Sequence, residues 1–189
     1  MGTQHPDNAS KPYWAKDAFI DTQTEVEEAY RCFSELSGQE FMWDWEGKHV
    51  DESVVEKLFE HYTEFFQNHA LGKDIFLTTR LPNIWEEKGY RLPKAFVNVI
   101  SANQMASDVG MHAPVLFEAI LPMTKSADQL HFLHQRFRQV KKAFDAPDEL
   151  EMIPLVEETH SIQAVDQLLQ EYVKTEPRHS VRVFLARSD

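Results

Sequence analysis

The pattern of residues in the stretch LFEAILPMTKSADQLHFLHQRFRQV, residues 116–140, predicts one strand followed by one helix. Its first part, residues 116–121, is a short apolar run that is typical of a buried strand. Ser126 then suits the N-cap of a helix that we predict to continue to about residue 143. Apolar residues at helical spacing predict the face that packs on the sheet: Leu130, Leu133, Phe137 and Val140.

The same alternation of strand and helix recurs on both sides of this unit. Short apolar runs predict strands, and most are followed by residues with helical periodicity. The predicted strands are residues 41–45, 75–79, 116–121, 152–156 and 181–186. Continuous apolar strands alternating with helices predict an α/β fold with a parallel sheet covered by helices. Both a (β/α) barrel and an open, doubly wound sheet fit this pattern.

The amino-terminal region differs from the rest of the chain. Residues 1–23 contain prolines and several turn-forming residues, so we expect an irregular arm there. Thr24 and Glu27 have the spacing of a capping box and predict that a helix follows the arm. We therefore expect an arm and a helix over residues 1–38, and the strands and helices of the sheet over residues 39–189.

The composition argues against several classes of protein. The chain has 189 residues and a formal net charge of −12, which disfavours nucleic acid and anionic membranes as partners. No apolar run approaches the roughly 20 residues of a membrane-spanning helix, and the first residues do not form a secretory signal. Because Cys32 is the single cysteine, no disulfide can form within the chain. We expect a cytoplasmic protein.

Polar residues follow each predicted strand, at the sheet edge where active sites form in both architectures. Carboxylates are ligands that magnesium prefers, and arginines bind phosphate or carboxylate groups through paired hydrogen bonds. Glycine-rich phosphate-binding motifs do not occur in the sequence, so side chains must hold any anion. The candidate residues are Asp44, Glu46, Arg80, Lys125, Ser126, Glu157, Glu158, Arg187 and Asp189. Together they indicate a small phosphorylated or carboxylated anion held by magnesium and arginine.

Three histidines are further candidates for a functional site. His131 and His134 lie three residues apart on a predicted helix, which permits a shared metal. No third ligand lies nearby in the sequence, so we expect them on a solvated helix face. His5 lies in a loop before a proline, where it is either an ordinary loop residue or a general acid or base.

Six motifs occur in order along the chain: TQHPDN (3–8), FMWDWEGKHVDE (41–52), GKDIFLTTRLPN (72–83), EAILPMTKSADQL (118–130), IPLVEETHSI (153–162) and VFLARSD (183–189). Together they resemble the phosphoenolpyruvate carboxylase family in its archaeal form. The resemblance implies a (β/α)8 TIM-type barrel. Because family members are far longer, it implies that residues 1–189 are an incomplete amino-terminal part of one catalytic barrel domain, with about five parallel strands.

The resemblance also implies an activity. Members of the family add bicarbonate to phosphoenolpyruvate and form oxaloacetate and phosphate, through carboxyphosphate and the enolate of pyruvate. The family implies magnesium as the cofactor, with manganese as a substitute, and a homotetramer that feeds the tricarboxylic acid cycle. We expect the 189 residues to be inactive by themselves.

The family's functional residues map onto particular positions of this sequence. His5, in a T-x-H-P motif, is implied to be the catalytic base, and the arginines are implied to contact the phosphoryl group. The implied set is His5, Arg80 and Arg187 for catalysis, Arg80, Lys125 and Ser126 for substrate binding, and Glu157 and Asp189 for the metal. The roles of Asp44 and Glu46 stay open.

Two alternatives to a carboxylase remain at this stage. One is another magnesium-dependent barrel lyase or aldolase that acts on pyruvate-like enolates. The other is a catalytically inactive fragment that serves as a binding module. Release of phosphate from phosphoenolpyruvate in the presence of bicarbonate distinguishes a carboxylase from both alternatives.

Overall fold

The structure, a computed structural model, describes residues 2–3, 14, 22–46, 52–147, 149–176 and 180–186. These residues contain six parallel strands that are neighbours in the sheet in the same order as in the chain. The strands are β1 (Gly2–Thr3), β2 (Glu40–Asp44), β3 (Phe76–Arg80), β4 (Glu118–Leu121), β5 (Glu151–Val156) and β6 (Phe184–Leu185). The predicted α/β fold with a parallel sheet is thereby confirmed.

Helices connect the strands, as the periodicity of the sequence predicts. They are α1 (Thr22–Ser34), α2 (Val54–His61), α3 (Thr63–Asn68), α4 (Leu92–Asp108), α5 (Ala127–Ala143), α6 (Thr159–Gln163) and α7 (Val165–Thr175). Helix α5 ends at the predicted residue and has Ser126 at its N-cap, although the Ser126 side chain makes no capping hydrogen bond. No helix in the described part of the chain combines the length and the hydropathy needed to cross a membrane.

One face of the sheet packs against the helices. Alternate residues of a strand point to opposite faces, and paired residues of parallel neighbours share a face. The pairing of Phe41 with Leu77 and of Trp43 with Thr79 therefore defines this face. All four side chains are buried, and the Phe41 ring meets Phe33 of α1 edge to face, with the centroids 6.5 Å apart. The hydrophobic core lies between this face and the helices.

The opposite face of the sheet, which we call the polar face, carries polar side chains at both ends of its strands. Glu40 and Glu118 are the first residues of β2 and β4, and Thr78 is the middle residue of β3 between them. Asp44 and Arg80 are the last residues of β2 and β3, and the strand register places them side by side. Two clusters of polar side chains on one face of a parallel sheet are unusual, because such sheets are ordinarily apolar on both faces.

The amino-terminal strand was not predicted. We expected an irregular arm over residues 1–23, but Gly2 pairs with Phe41 and Thr3 with Met42 at the edge of β2. Backbone groups make this pairing, so no apolar run is needed for it. At Gly2 an added Cβ atom would lie 2.6 Å from Cys32 Sγ, so glycine permits the close approach of β1 to α1. The sheet thus has six described strands instead of about five.

His134 is buried, contrary to the prediction of a solvated helix face. Only 2 % of its surface is exposed, and its Nε2 lies 2.6 Å from the hydroxyl oxygen of Tyr172 on α7. The Tyr172 hydroxyl also lies 3.4 Å from the carbonyl oxygen of Met152 in β5. Packing of α7 over α5 covers this side of the helix, and the periodicity of α5 alone did not reveal it.

Candidate active site

Arg80 is held in place by two carboxylates where β2 and β3 end. Its Nη1 lies 3.2 Å from Asp44 Oδ1 and 3.3 Å from Glu87 Oε2, while its Nη2 lies 2.6 Å from Glu87 Oε1. The Arg80 side chain is almost fully buried. A guanidinium group has five N–H donors, and these contacts engage three of them. The arrangement fixes the orientation of Arg80 at the carboxyl edge of the sheet.

Glu87 is positioned by the turn that follows β3. The backbone N–H of Asn83 donates to Glu87 Oε2 at 2.7 Å. Asn83 is fully buried, and its side-chain amide donates to the carbonyl oxygen of Pro122 at 2.8 Å. Its side-chain oxygen accepts a hydrogen bond from the backbone of Trp85 at 3.0 Å. The turn that carries Glu87 is therefore tied to the end of β4.

The carboxylates around Arg80 offset the burial of its charge. Burial opposes the charge, but the neighbouring carboxylates of Asp44 and Glu87 outweigh it and raise the pKa of Arg80 above its ordinary value. Glu46, just beyond Asp44, behaves differently: burial and then the charge of Glu87 raise the pKa of its carboxyl group. Arg91 completes this region by donating from Nη1 to the carbonyl oxygen of Trp45 at 3.0 Å.

Lys125 lies on the solvent side of the same edge, between two glutamates. Its Nζ is 2.8 Å from Glu86 Oε1 and 3.4 Å from Glu158 Oε1. Hydrogen bonds to these carboxylates raise the pKa of Lys125. Because Glu86 precedes Glu87 and Glu158 follows Glu157, Lys125 bridges the loops that follow β3 and β5.

Glu157 directly follows β5, and its side chain is half-buried. A carboxylate at a strand end is a donor that fits magnesium. No group of three or more histidine, cysteine, aspartate or glutamate residues that could hold a metal occurs within the described ranges. Three of the predicted site residues, His5, Arg187 and Asp189, lie outside these ranges, so their roles stay predictions.

Comparison with known proteins identifies the family of this chain. The family model for phosphoenolpyruvate carboxylase matches residues 1–189. The chain belongs to the phosphoenolpyruvate carboxylase family. The resemblance seen in the six sequence motifs is thus confirmed over the whole chain.

Individual relatives with the name phosphoenolpyruvate carboxylase also match the whole chain. The protein from Leuconostoc mesenteroides is 43% identical over 100% of this chain and 40% of its own length. Archaeal relatives from Halobacterium salinarum and Caldivirga maquilingensis are 38% and 39% identical and are covered over 43% and 41% of their lengths. The chain therefore spans about 40% of the length of the phosphoenolpyruvate carboxylases that it matches.

Sequence reasoning about this phosphoenolpyruvate carboxylase family member missed the partners of Arg80. The sequence indicated Asp44 as a candidate at a strand end, but it did not indicate that Asp44 contacts Arg80. Glu87 lies seven residues beyond Arg80, and this spacing predicts no contact between them. It also missed a second cluster on the polar face, formed by Glu40, Thr78, Glu118 and Arg182. The available signal was a glutamate at the start of a largely apolar strand, which occurs in β2, β4 and β5.

Proposed function

We propose that this chain works as the amino-terminal part of a phosphoenolpyruvate carboxylase that has the length of its relatives, which we call the extended protein. The extended protein adds bicarbonate to phosphoenolpyruvate and forms oxaloacetate and phosphate. One observation carries the proposal: a chain that matches the family throughout fixes a buried arginine, Arg80, at the carboxyl edge of a parallel sheet. Arginine held in a defined orientation suits the recognition of a phosphoryl group.

The strand order supports a (β/α)8 barrel as the complete architecture. Each strand neighbours the next one along the chain from β1 to β6. A doubly wound sheet reverses its strand order at a switch point, whereas a barrel continues in chain order. Because eight strands close such a barrel, the extended protein supplies the strands that complete it.

The reaction begins with phosphoryl transfer. A bicarbonate oxygen attacks the phosphorus of phosphoenolpyruvate, and the bond from phosphorus to the enol oxygen breaks, leaving its electron pair on the enolate. Arg80, with the N–H donors that Asp44 and Glu87 leave available, and Arg187 neutralise the charge of the moving phosphoryl group. Lys125 and Ser126 bind the substrate beside Arg80, and Lys125 exchanges its contact with Glu86 or Glu158 for the substrate.

The second half of the reaction depends on His5. The carboxyphosphate formed in the first step gives its proton to His5 and splits into carbon dioxide and phosphate. The methylene carbon of the enolate then attacks the carbon dioxide and forms oxaloacetate. Magnesium, or manganese in its place, held by Glu157 and Asp189, would supply positive charge beside the enolate oxygen.

The proposed reaction is tested by following phosphate and oxaloacetate together in the extended protein. Equal amounts of both from phosphoenolpyruvate, dependent on bicarbonate, are expected. Cleavage or condensation of a pyruvate-like substrate without phosphate release would instead indicate a lyase or aldolase. Light scattering tests the proposed homotetramer, and cell fractionation tests the proposed cytoplasmic location.

The proposed role of His5 is tested separately by His5→Ala in the extended protein. We expect carboxylation to fall by roughly 100-fold or more, the usual contribution of a general acid or base. Magnesium affinity, measured by titration calorimetry, is expected to change little because His5 is not assigned to the metal. A large loss of magnesium binding would contradict this assignment.

A further inference from the structure

An ion-pair network lies on the polar face at the end of the strands opposite to Arg80. Arg182, two residues before β6, places its Nη2 at 2.8 Å from both carboxylate oxygens of Glu40. Its Nη1 donates to Glu118 Oε2, and the hydroxyl of Thr78 donates to Glu40 Oε1. One guanidinium group thus joins the segment before β6 to the first residues of β2 and β4.

The network links strands that the sheet itself keeps apart. Three strands separate β2 from β6 in the sheet order. The ladder between β5 and β6 contains two residue pairs, Leu155 with Phe184 and Val156 with Leu185, and the backbone N–H of Ala186 donates to Val156. Because this ladder is short, the contacts of Arg182, together with the packing of Val181 on the hydrophobic core, hold the start of β6.

The carboxylates that Arg182 binds are largely buried, so loss of Arg182 would destabilise the folded state. The side chains of Glu40 and Glu118 are 15% and 14% exposed, while that of Arg182 is 37% exposed. Burial raises the pKa of Glu118, and the charge and hydrogen bond of Arg182 oppose this rise. Without Arg182, two largely buried carboxylates would lose their shared cation, and removing one partner from such a group is strongly unfavourable.

We propose that Arg182 is a positioning residue of the active site. By binding Glu40 and Glu118 it fixes the start of β6, the strand that ends two residues before Arg187 in the chain. Arg182 binds the first residues of β2 and β4, whereas Arg80 is the last residue of β3, so Arg182 acts through the strand and does not touch the substrate. This inference rests on the proposed function, in which Arg187 contacts the phosphoryl group.

The test compares Arg182→Met and Arg182→Lys with Arg138→Met in the extended protein. Arg138 is a matched control, because it forms a bidentate ion pair with Glu176, at 2.9 and 2.6 Å, on the helical side of the sheet. The thermal midpoint of each variant is measured first. The kcat/KM for phosphoenolpyruvate and the amide hydrogen exchange over residues 180–189 are then measured well below that temperature.

For Arg182→Met we expect a loss of at least about 10-fold in kcat/KM, since small misplacements of catalytic groups cost up to about 100-fold. Exchange over residues 180–189 is expected to rise, and Arg182→Lys is expected to recover part of both effects. Arg138→Met is expected to keep the wild-type kcat/KM and the wild-type exchange in this segment. Unchanged kcat/KM in Arg182→Met, or an equal loss in Arg138→Met, would overturn the proposal.

The experiment distinguishes failure of the proposed function from failure of the proposed role of Arg182, and it includes a second variant in case Arg182→Met does not fold. Wild-type extended protein that releases no phosphate refutes the proposed function, whereas hydrogen exchange still reports whether Arg182 holds β6. If Arg182→Met does not fold, Glu40→Gln is measured in the same way, because it removes one charge and leaves Arg182 paired with Glu118. Wild-type kcat/KM and wild-type exchange in Glu40→Gln would then overturn the inference.

Discussion

Arg80 and Glu87 form a bidentate ion pair at the carboxyl edge of the sheet, with Nη2 2.6 Å from Oε1 and Nη1 3.3 Å from Oε2. Glu87 Oε2 also accepts the backbone N–H of Asn83. The orientation of the candidate phosphate ligand therefore depends on the turn after β3 as well as on Asp44 of β2. Arginine geometry is central to this arrangement, since a lysine ammonium cannot form the planar fork.

Arg80→Lys in the extended protein is expected to keep the positive charge and to lose the paired contacts. We expect kcat/KM for phosphoenolpyruvate to fall by roughly 100-fold or more, because loss of one preorganised donor has effects of this size. Steady-state kinetics measure the change. Arg136→Lys on the exposed surface of α5 is the control, and wild-type kinetics in Arg80→Lys would contradict the phosphate role.

Glu157→Gln is expected to weaken magnesium binding by at least about 10-fold, because a neutral amide replaces a charged ligand. Titration calorimetry of the extended protein with magnesium measures this affinity without relying on turnover. Glu171→Gln on the exposed surface of α7 is the matched control, and its affinity is expected to equal that of the wild type. Equal affinities for all three proteins would remove Glu157 from the metal site.

Glu28 of α1 predicts a pH dependence of stability. Burial raises the pKa of Glu28 from 4.5 to about 7. The folded state therefore binds the proton of Glu28 more tightly than the unfolded state does. The stability that this proton supplies is fully present below pH 4.5 and is lost as the pH rises through about 7. Glu28→Gln is therefore expected to be more stable than the wild type at pH 8 by roughly 1–3 kcal/mol.

The Glu28 prediction is checked by calorimetric unfolding midpoints of both proteins between pH 5 and pH 8. The difference between them is expected to shrink as the pH falls, because the protonated carboxyl group of the wild type then resembles the amide. A difference that does not depend on pH would show that Glu28 does not titrate in this range.

Tyr172→Phe is expected to lower the free energy of unfolding by about 1–3 kcal/mol, the cost of leaving a buried polar partner without its bond. The partner is His134, whose Nε2 lies 2.6 Å from the removed hydroxyl. Denaturant unfolding measures the loss, with Tyr90→Phe as the control because Tyr90 is 68% exposed. Catalysis is expected to be unchanged, and an altered kcat would contradict a purely structural role.

The 189-residue chain by itself is expected to produce no oxaloacetate and to associate in solution. Strand β6 is the last strand of the described sheet, and Leu185 on it is 57% exposed. Exposed strand edges with apolar side chains favour pairing between molecules. A coupled oxaloacetate assay and light scattering test this, and a monomer with full activity would refute it.

Local patterns were sufficient for the predictions that the structure confirms. Apolar runs and helical spacing predicted the parallel strands and helix α5, because these patterns depend on residues within one or two turns of each other. They also placed Arg80 at the end of β3. Motif order was sufficient for the family, which the match over residues 1–189 confirms.

Two features that the sequence did not predict depend on residues far apart in the chain. Strand β1 forms because Gly2 reaches Phe41, and His134 is buried because Tyr172 covers it. Neither partner can be identified from spacing, since packing and not sequence distance brings them together.

The sequence by itself determined the α/β class, the family and the residue types at the strand ends, because periodicity and motifs are written locally in the chain. Only the tertiary structure decided which charges meet: Arg80 with Glu87, and Arg182 with Glu40 across three intervening strands. The physical reason is that an ion pair requires two side chains within a few ångströms, and that distance is set by strand register and helix packing.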